Sequence, residues 1–156
     1  MNIGIFFKIR NRLRTSLQSV VYPFFFARFG ARSRILRPIR IDGSDNITIG
    51  TDVFINNFAW IETIHAFSVQ PRLEIRDRVY IGNSAHIIVT QSIEIGCDVL
   101  IADRVYVADY IHGYEDIHKP VKTQTAPPGQ YRRRLVDWRE RRNTRSQNRP
   151  QLCDRR

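Results

Sequence analysis

The sequence predicts an all-β chain wound as a parallel β-helix, and three observations carry that expectation. A six-residue phrase runs aliphatic, any residue, aliphatic, a small or acidic residue, then two polar residues. It starts at Ile47 and restarts at Leu73 and at Ile93. In a strand, residues two apart share a face, so each phrase sends both aliphatics to one side. Three phrases make about 18 residues, one triangular turn of a repeat architecture. The restarts lie 26 and 20 residues apart, which is one turn plus an eight-residue insertion over 63–70 and one turn plus two residues. An antiparallel sandwich would need hairpin signals and longer strands, and these are absent.

The stacking order follows from the spacing. Ile47 falls over Leu73 and Ile93, Val53 over Val79 and Val99, and Ala59 over Ala85 and Val105. Small residues at 59 and 85 suit a tight corner. Gly50, Gly82 and Gly96 fall between phrases, where a Cβ can be costly.

The segment ahead of the repeat divides differently. Ile5, Phe6, Ile9, Leu13 and Leu17 recur at helical spacing, with Arg10, Arg12 and Arg14 elsewhere on the wheel. A second apolar cluster spans Val20 to Phe26, and Pro23 ends or kinks a helix there. Residues 1–34 are therefore expected to form an amphipathic N-terminal helical cap. Such a helix covers the open first coil, and its basic and aromatic residues also suit the surface of an anionic membrane. Gly30 to Asp42 then leads into the first coil.

Charge is distributed unevenly along the 156 residues. Residues 1–40 hold nine Lys/Arg and no acid, residues 41–130 six basic and twelve acidic, and residues 131–156 ten basic and three acidic. The repeat is mildly acidic and both flanks are strongly basic. No run of about 18 apolar residues is present, so no conventional spanning helix is expected. Lys8, Arg10, Arg12 and Arg14 interrupt any signal-peptide core. Cys97 and Cys153 make no disulfide framework, and a reduced, cytoplasmic setting is the expectation.

After Val107 the period breaks into a loop over 108–124 that contains Asp109, Tyr110, His112, Gly113, Tyr114, Glu115, Asp116, Pro120, Val121 and Gln124. With the repeat before it, this loop resembles the hexapeptide-repeat acyltransferases, in particular the O-acetyltransferase branch acting on sugars and cell-surface polysaccharides. The resemblance covers roughly residues 35–125, on the match of His112 to Asp116, Pro120-Val121 and Gln124. The branch often carries a second histidine where Tyr110 stands.

The resemblance implies a left-handed helix of about three coils over residues 35–128. It implies acetyl-CoA as co-substrate, a sugar or polysaccharide acceptor, and a homotrimer whose sites lie in clefts between neighbours. It assigns the general base to His112, a residue type whose ordinary pKa of about 6.5 suits neutral pH. Asp109, Glu115 and Asp116 are candidates to orient the imidazole, and the sequence does not separate them. Asn56 and Asn57 fall on an early coil where relatives place acceptor contacts; turn polarity is the plain alternative. No metal is expected, because His65, His86 and His112 lack the ligand spacing of the zinc-binding branch on the same fold. His118 lies six residues beyond His112.

From about Gly129 the composition turns to arginine, and residues 129–156 are expected to be a disordered basic tail outside the family pattern. A frame slip would account for it. Shifted by one base, arginine codons read as Val, Ala, Asp or Gly, and residues 130–140 and 147–156 then permit hexapeptide phrases. The chain is accordingly expected to be truncated or frame-shifted and weakly active or inactive. The alternatives are an inactive scaffold or pseudogene product, and a basic-tailed binder of nucleic acid or a membrane surface; nucleic acid is the less expected partner. Peripheral contact with the inner face of the cell membrane would run through residues 1–34.

Overall fold

The computed structural model describes residues 20–66, 68–110, 112–113 and 115–124, together with the backbone of 132–135. Short parallel strands are the main regular structure of the described residues. In chain order these are β1 (Arg28–Phe29), β2 (Arg34–Ile35), β3 (Arg40–Asp42), β4 (Ile47–Ile49), β5 (Phe54–Ile55), β6 (Trp60–Thr63), β7 (Arg72–Ile75), β8 (Tyr80–Ile81), β9 (His86–Val89), β10 (Ser92–Ile95), β11 (Leu100–Ile101), β12 (Tyr106–Ala108) and β13 (Arg132–Leu135).

The strands sort into three parallel sheets. The first runs β1-β4-β7-β10-β13, the second β2-β5-β8-β11, and the third β3-β6-β9-β12. Consecutive strands of the chain thus fall in different sheets, and every third strand stacks on the same one. This is the arrangement of a parallel β-helix. The register matches the spacing of the phrases: Ile47 pairs with Leu73 and Leu73 with Ile93. Trp60 pairs with His86, and His86 with Tyr106.

The core is a set of aliphatic columns inside the three sheets. Ile35, Ile55 and Ile81 form one, and Ile47, Leu73 and Ile93 another, all fully buried. Each such side chain contributes about 1.5–3 kcal/mol on leaving water. Val99 and Val105 are only partly buried, whereas Val79 and Ala85 beneath them are closed off.

Between strands the chain turns through left-handed residues that are not glycine. Arg32, Asp52, Arg78 and Asp98, with φ of 57–59°, occupy one corner in successive turns. Arg32 pairs with Asp52, and Arg78 with Asp98 through bonds of 2.7 and 2.8 Å. Charge therefore alternates along the corner. Gly50 and Gly82 sit two residues before left-handed positions and meet a different need. A Cβ on Gly50 would lie 2.5 Å from Asp77 Oδ1, and one on Gly82 would lie 2.4 Å from Asp103 Oδ1. Those aspartates accept the next backbone N–H groups, of Thr51 and Asn83.

The ends depart from expectation. The helix expected over residues 5–17 lies outside the described residues. Within 20–35 the chain is α-helical at 20–21, forms a 3-10 turn at Tyr22–Phe24 and then β1 and β2, so strand structure begins at Arg28 rather than at residue 35. The reason is that Phe29, Ile35 and Ile41 already follow the six-residue period and pack on or in the core. Rings of Tyr22, Phe26 and Phe29, 5.2–5.5 Å apart, close that end. In the tail expected to be disordered, 132–135 form β13, in register with β10 from Ser92↔Arg132 to Ile95↔Leu135. The open edge of β10 presents unpaired backbone groups that a further strand satisfies. The rest of 125–156 lies outside the described residues.

Candidate active site

The site is built where β12 ends. Asp109 follows Ala108 directly and is fully buried. Its Oδ1 accepts the Thr90 backbone N–H at 2.7 Å and the Thr90 hydroxyl at 2.9 Å, and its Oδ2 accepts the Gln91 N–H at 2.8 Å. Thr90 and Gln91 form the bend between β9 and β10. A buried carboxylate with three donors is well compensated, and here it ties the start of the loop to the turn below.

Tyr110 comes next. Its ring meets the His112 ring edge-on, with centroids 5.4 Å apart and planes at 85°. Tyr106 is more than half exposed as a residue, yet its phenol is pushed up to about 12, first by burial and then by a side-chain hydrogen bond with Tyr110. Tyr106 tops a row of side chains on the outer face of the third sheet. Below it His86 stands edge-on at 5.1 Å, Trp60 stacks on His86 at 4.6 Å, and the Arg40 guanidinium lies 5.5 Å from the Trp60 ring. The Trp60 indole N–H donates to Glu62 at 3.0 Å. His86 faces outward, as its place after an inward alanine requires, but neighbouring rings cover it, and its Nε2 is buried without a hydrogen-bond partner among the described residues.

His112 itself is exposed. The loop beyond it is closed by one side chain. Gln124 Oε1 accepts the Asp116 N–H at 3.0 Å, and Gln124 Nε2 donates to the carbonyls of Asp116 at 2.8 Å and Lys119 at 3.0 Å. Asp116 also accepts the His118 N–H at 3.0 Å and pairs with Lys119 at 3.0 Å. A 3-10 turn at Val121–Thr123 brings Gln124 back. Ile111 and Tyr114 lie outside the described residues.

The three candidate carboxylates therefore stand in different situations. Asp109 is taken up by Thr90 and Gln91, and Asp116 by its own loop. Glu115 is exposed and has no partner among the described residues. No hydrogen bond from any of the three reaches His112 among the described residues. Asn56 and Asn57 follow β5 on the second sheet. Asn56 Oδ1 accepts the Asn57 N–H at 2.8 Å and its side-chain amide at 2.9 Å, and Asn56 Nδ2 donates to Tyr80 Oη at 3.1 Å. Neither contacts His112 among the described residues. Tyr106 and Tyr110 carry contacts that the sequence reading did not assign; the signal was an outward aromatic at 106 and a second one four residues on.

The chain matches no family model, no curated protein and no solved structure. Among the described residues no group of three or more His, Cys, Asp or Glu side chains is placed to hold a metal ion. Chemically, the arrangement offers two exposed imidazoles on a loop fastened at both ends, His118 and His112, of which His112 has its ring against Tyr110. Such a group can accept a proton from a bound hydroxyl.

Proposed function

We propose that this chain is an acetyl-CoA-dependent O-acetyltransferase on a left-handed β-helix, acting on a hydroxyl of a sugar or cell-surface polysaccharide precursor. One observation carries the reading. Exposed His112 lies in a loop fastened by Asp109 at its start and by Gln124 at its end, where the six-residue period stops. The residues of that loop are also the ones that resemble the O-acetyltransferase branch.

In the proposed reaction His112 takes the proton from the acceptor hydroxyl as its oxygen attacks the thioester carbonyl carbon. The tetrahedral intermediate collapses, the C–S bond breaks, and the imidazolium returns the proton to the departing thiolate. The products are an acetyl ester and free coenzyme A. With Asp109 and Asp116 engaged elsewhere, Glu115 is the carboxylate left to meet the charged imidazole. Asn56 and Asn57 remain candidates for acceptor contacts, and a homotrimer would supply the donor cleft from a neighbour.

Thiol release from acetyl-CoA in the presence of sugar acceptors tests the reading. His112→Ala is expected to lower the rate by about 10²–10⁴-fold while leaving the melting temperature unchanged. Thiol release that is indifferent to this substitution would overturn the assignment.

A further inference from the structure

One end of the molecule combines two features that the acetyl-transfer reading does not use. Val20, Phe24, Phe25 and Ile39 are 62–83% exposed. They are presented rather than left over. Phe26, next in the chain, is buried, and with Tyr22 and Phe29 it fixes the 3-10 turn to the core. Phe25 and Ile39 also line one largely apolar cavity of about 330 Å³, with Val21, Tyr22 and Pro38 in its wall. An exposed apolar patch of this kind marks an interaction surface.

The second feature is charge. Residues 1–40 carry nine Lys/Arg and no acid. On the first turn Arg32 and Arg40 are matched by Asp52, Asp42 and Glu62. Arg28, Arg34 and Arg37 are exposed and have no ion pair among the described residues. Arg28 lies three residues beyond Phe25, and Arg37 two before Ile39.

We propose that this end docks on an anionic phospholipid surface. Phe24, Phe25 and Ile39 enter the boundary between headgroups and acyl chains, the cavity accepts apolar lipid, and Arg28, Arg34 and Arg37 meet lipid phosphates. A bilayer presents both apolar depth and negative charge, which this end requires together. Nucleic acid would answer the arginines and leave the phenylalanines and the cavity unused. A second copy would bring one unopposed basic end against another. No helix among the described residues is long and apolar enough to cross a membrane. The proposal stands independently of the acetyl-transfer reading.

Co-sedimentation of the full chain tests it, with phosphatidylcholine vesicles alone and with vesicles that also contain phosphatidylserine. Binding is expected to need phosphatidylserine and to weaken with added salt. Phe24→Ser with Phe25→Ser is expected to weaken it on the order of tenfold or more, and Arg28→Glu with Arg37→Glu to remove the preference for phosphatidylserine. Circular dichroism checks that each variant keeps its strands. Should the serine variant fail to fold, Phe24→Trp in vesicles of brominated lipid is expected to show fluorescence quenching beyond that of the parent chain. Equal binding to both vesicle types, undiminished binding by the folded serine variant, no added quenching, or binding to a nucleic-acid homopolymer but not to vesicles would each overturn the proposal.

Discussion

Asp109 and Thr90, 19 residues apart in the chain, are joined by two buried hydrogen bonds to one carboxylate oxygen, at 2.7 and 2.9 Å. The second oxygen holds the Gln91 N–H. The contact makes the loop that bears His112 an extension of the turn beneath it. Asp109→Ala would leave buried donors unmatched, and a loss of about 2–4 kcal/mol in unfolding free energy is expected. Denaturant unfolding measures it. Asp109→Asn should recover part of the loss, because one acceptor oxygen remains.

Gly82 is a second point of close contact between turns. A Cβ there would lie 2.4 Å from Asp103 Oδ1 and 2.6 Å from the Asp103 backbone nitrogen. Backbone cannot move aside as a flexible side chain can. Gly82→Ala is expected to cost about 2 kcal/mol or more and to lower the melting temperature by several degrees. A variant that melts with the parent would show that the two turns are not seated this closely.

The corner carboxylates give a pH dependence of known sign. The hydrogen bond from Arg32 holds the Asp52 carboxyl below its ordinary value, against a smaller opposing effect of burial. A group with a depressed folded pKa stabilises the fold fully above its unfolded value, about 4, and loses that contribution as pH falls through the folded value. Asp52→Asn should therefore lower the melting temperature at neutral pH and make little difference in strong acid. The site is exposed, so the effect is modest and shrinks with added salt.

Tyr106 offers a direct spectroscopic check on the contacts around His112. Its phenol is pushed up to about 12, with burial the larger cause and the bond to Tyr110 the next. Tyr110→Phe removes that bond, and the alkaline ultraviolet titration of Tyr106 should move toward 10. Assignment by comparison with Tyr106→Phe isolates the signal. An unchanged titration would mean that the two hydroxyls do not meet.

Much of the fold is legible because one repeated phrase has one geometric solution. Paired aliphatics at Ile47 and Ile49, Leu73 and Ile75, and Ile93 and Ile95 dictate the register that β4, β7 and β10 adopt. The first turn was harder to read because its phrase is worn. Ser33 stands where Val53 stands one turn later, and its buried hydroxyl donates to the Gly50 carbonyl at 2.6 Å and accepts the Val53 N–H at 3.0 Å. A polar residue at an inward position hides the period, although Phe29, Ile35 and Ile41 keep it. β13 was hidden more deeply, since its pairing puts Arg133 in register with Ile93 in an otherwise aliphatic column. In the candidate site, the loop's resemblance points to His112 and matches Gln124, but the clasp that Gln124 forms is visible only in the structure. The commitment of Asp109 is not legible in the sequence, because hydrogen-bond partners 18 and 19 residues away leave no local trace, and that of Asp116 depends on the turn that brings Gln124 back to it.

Arg32, Asp52, Arg78 and Asp98 alternate in sign up one corner, and Asp52 feels both Arg32 and Arg78. Aliphatic turns that differ little from one another are nearly interchangeable as far as packing goes. A chain that skipped a turn while winding would set Arg32 against Arg78 and leave Asp52 unmatched, at a cost the hydrophobic columns would not register. The corner thus acts as a counter for the repeat, distinguishing each turn from the next by charge where shape and hydrophobicity hardly do.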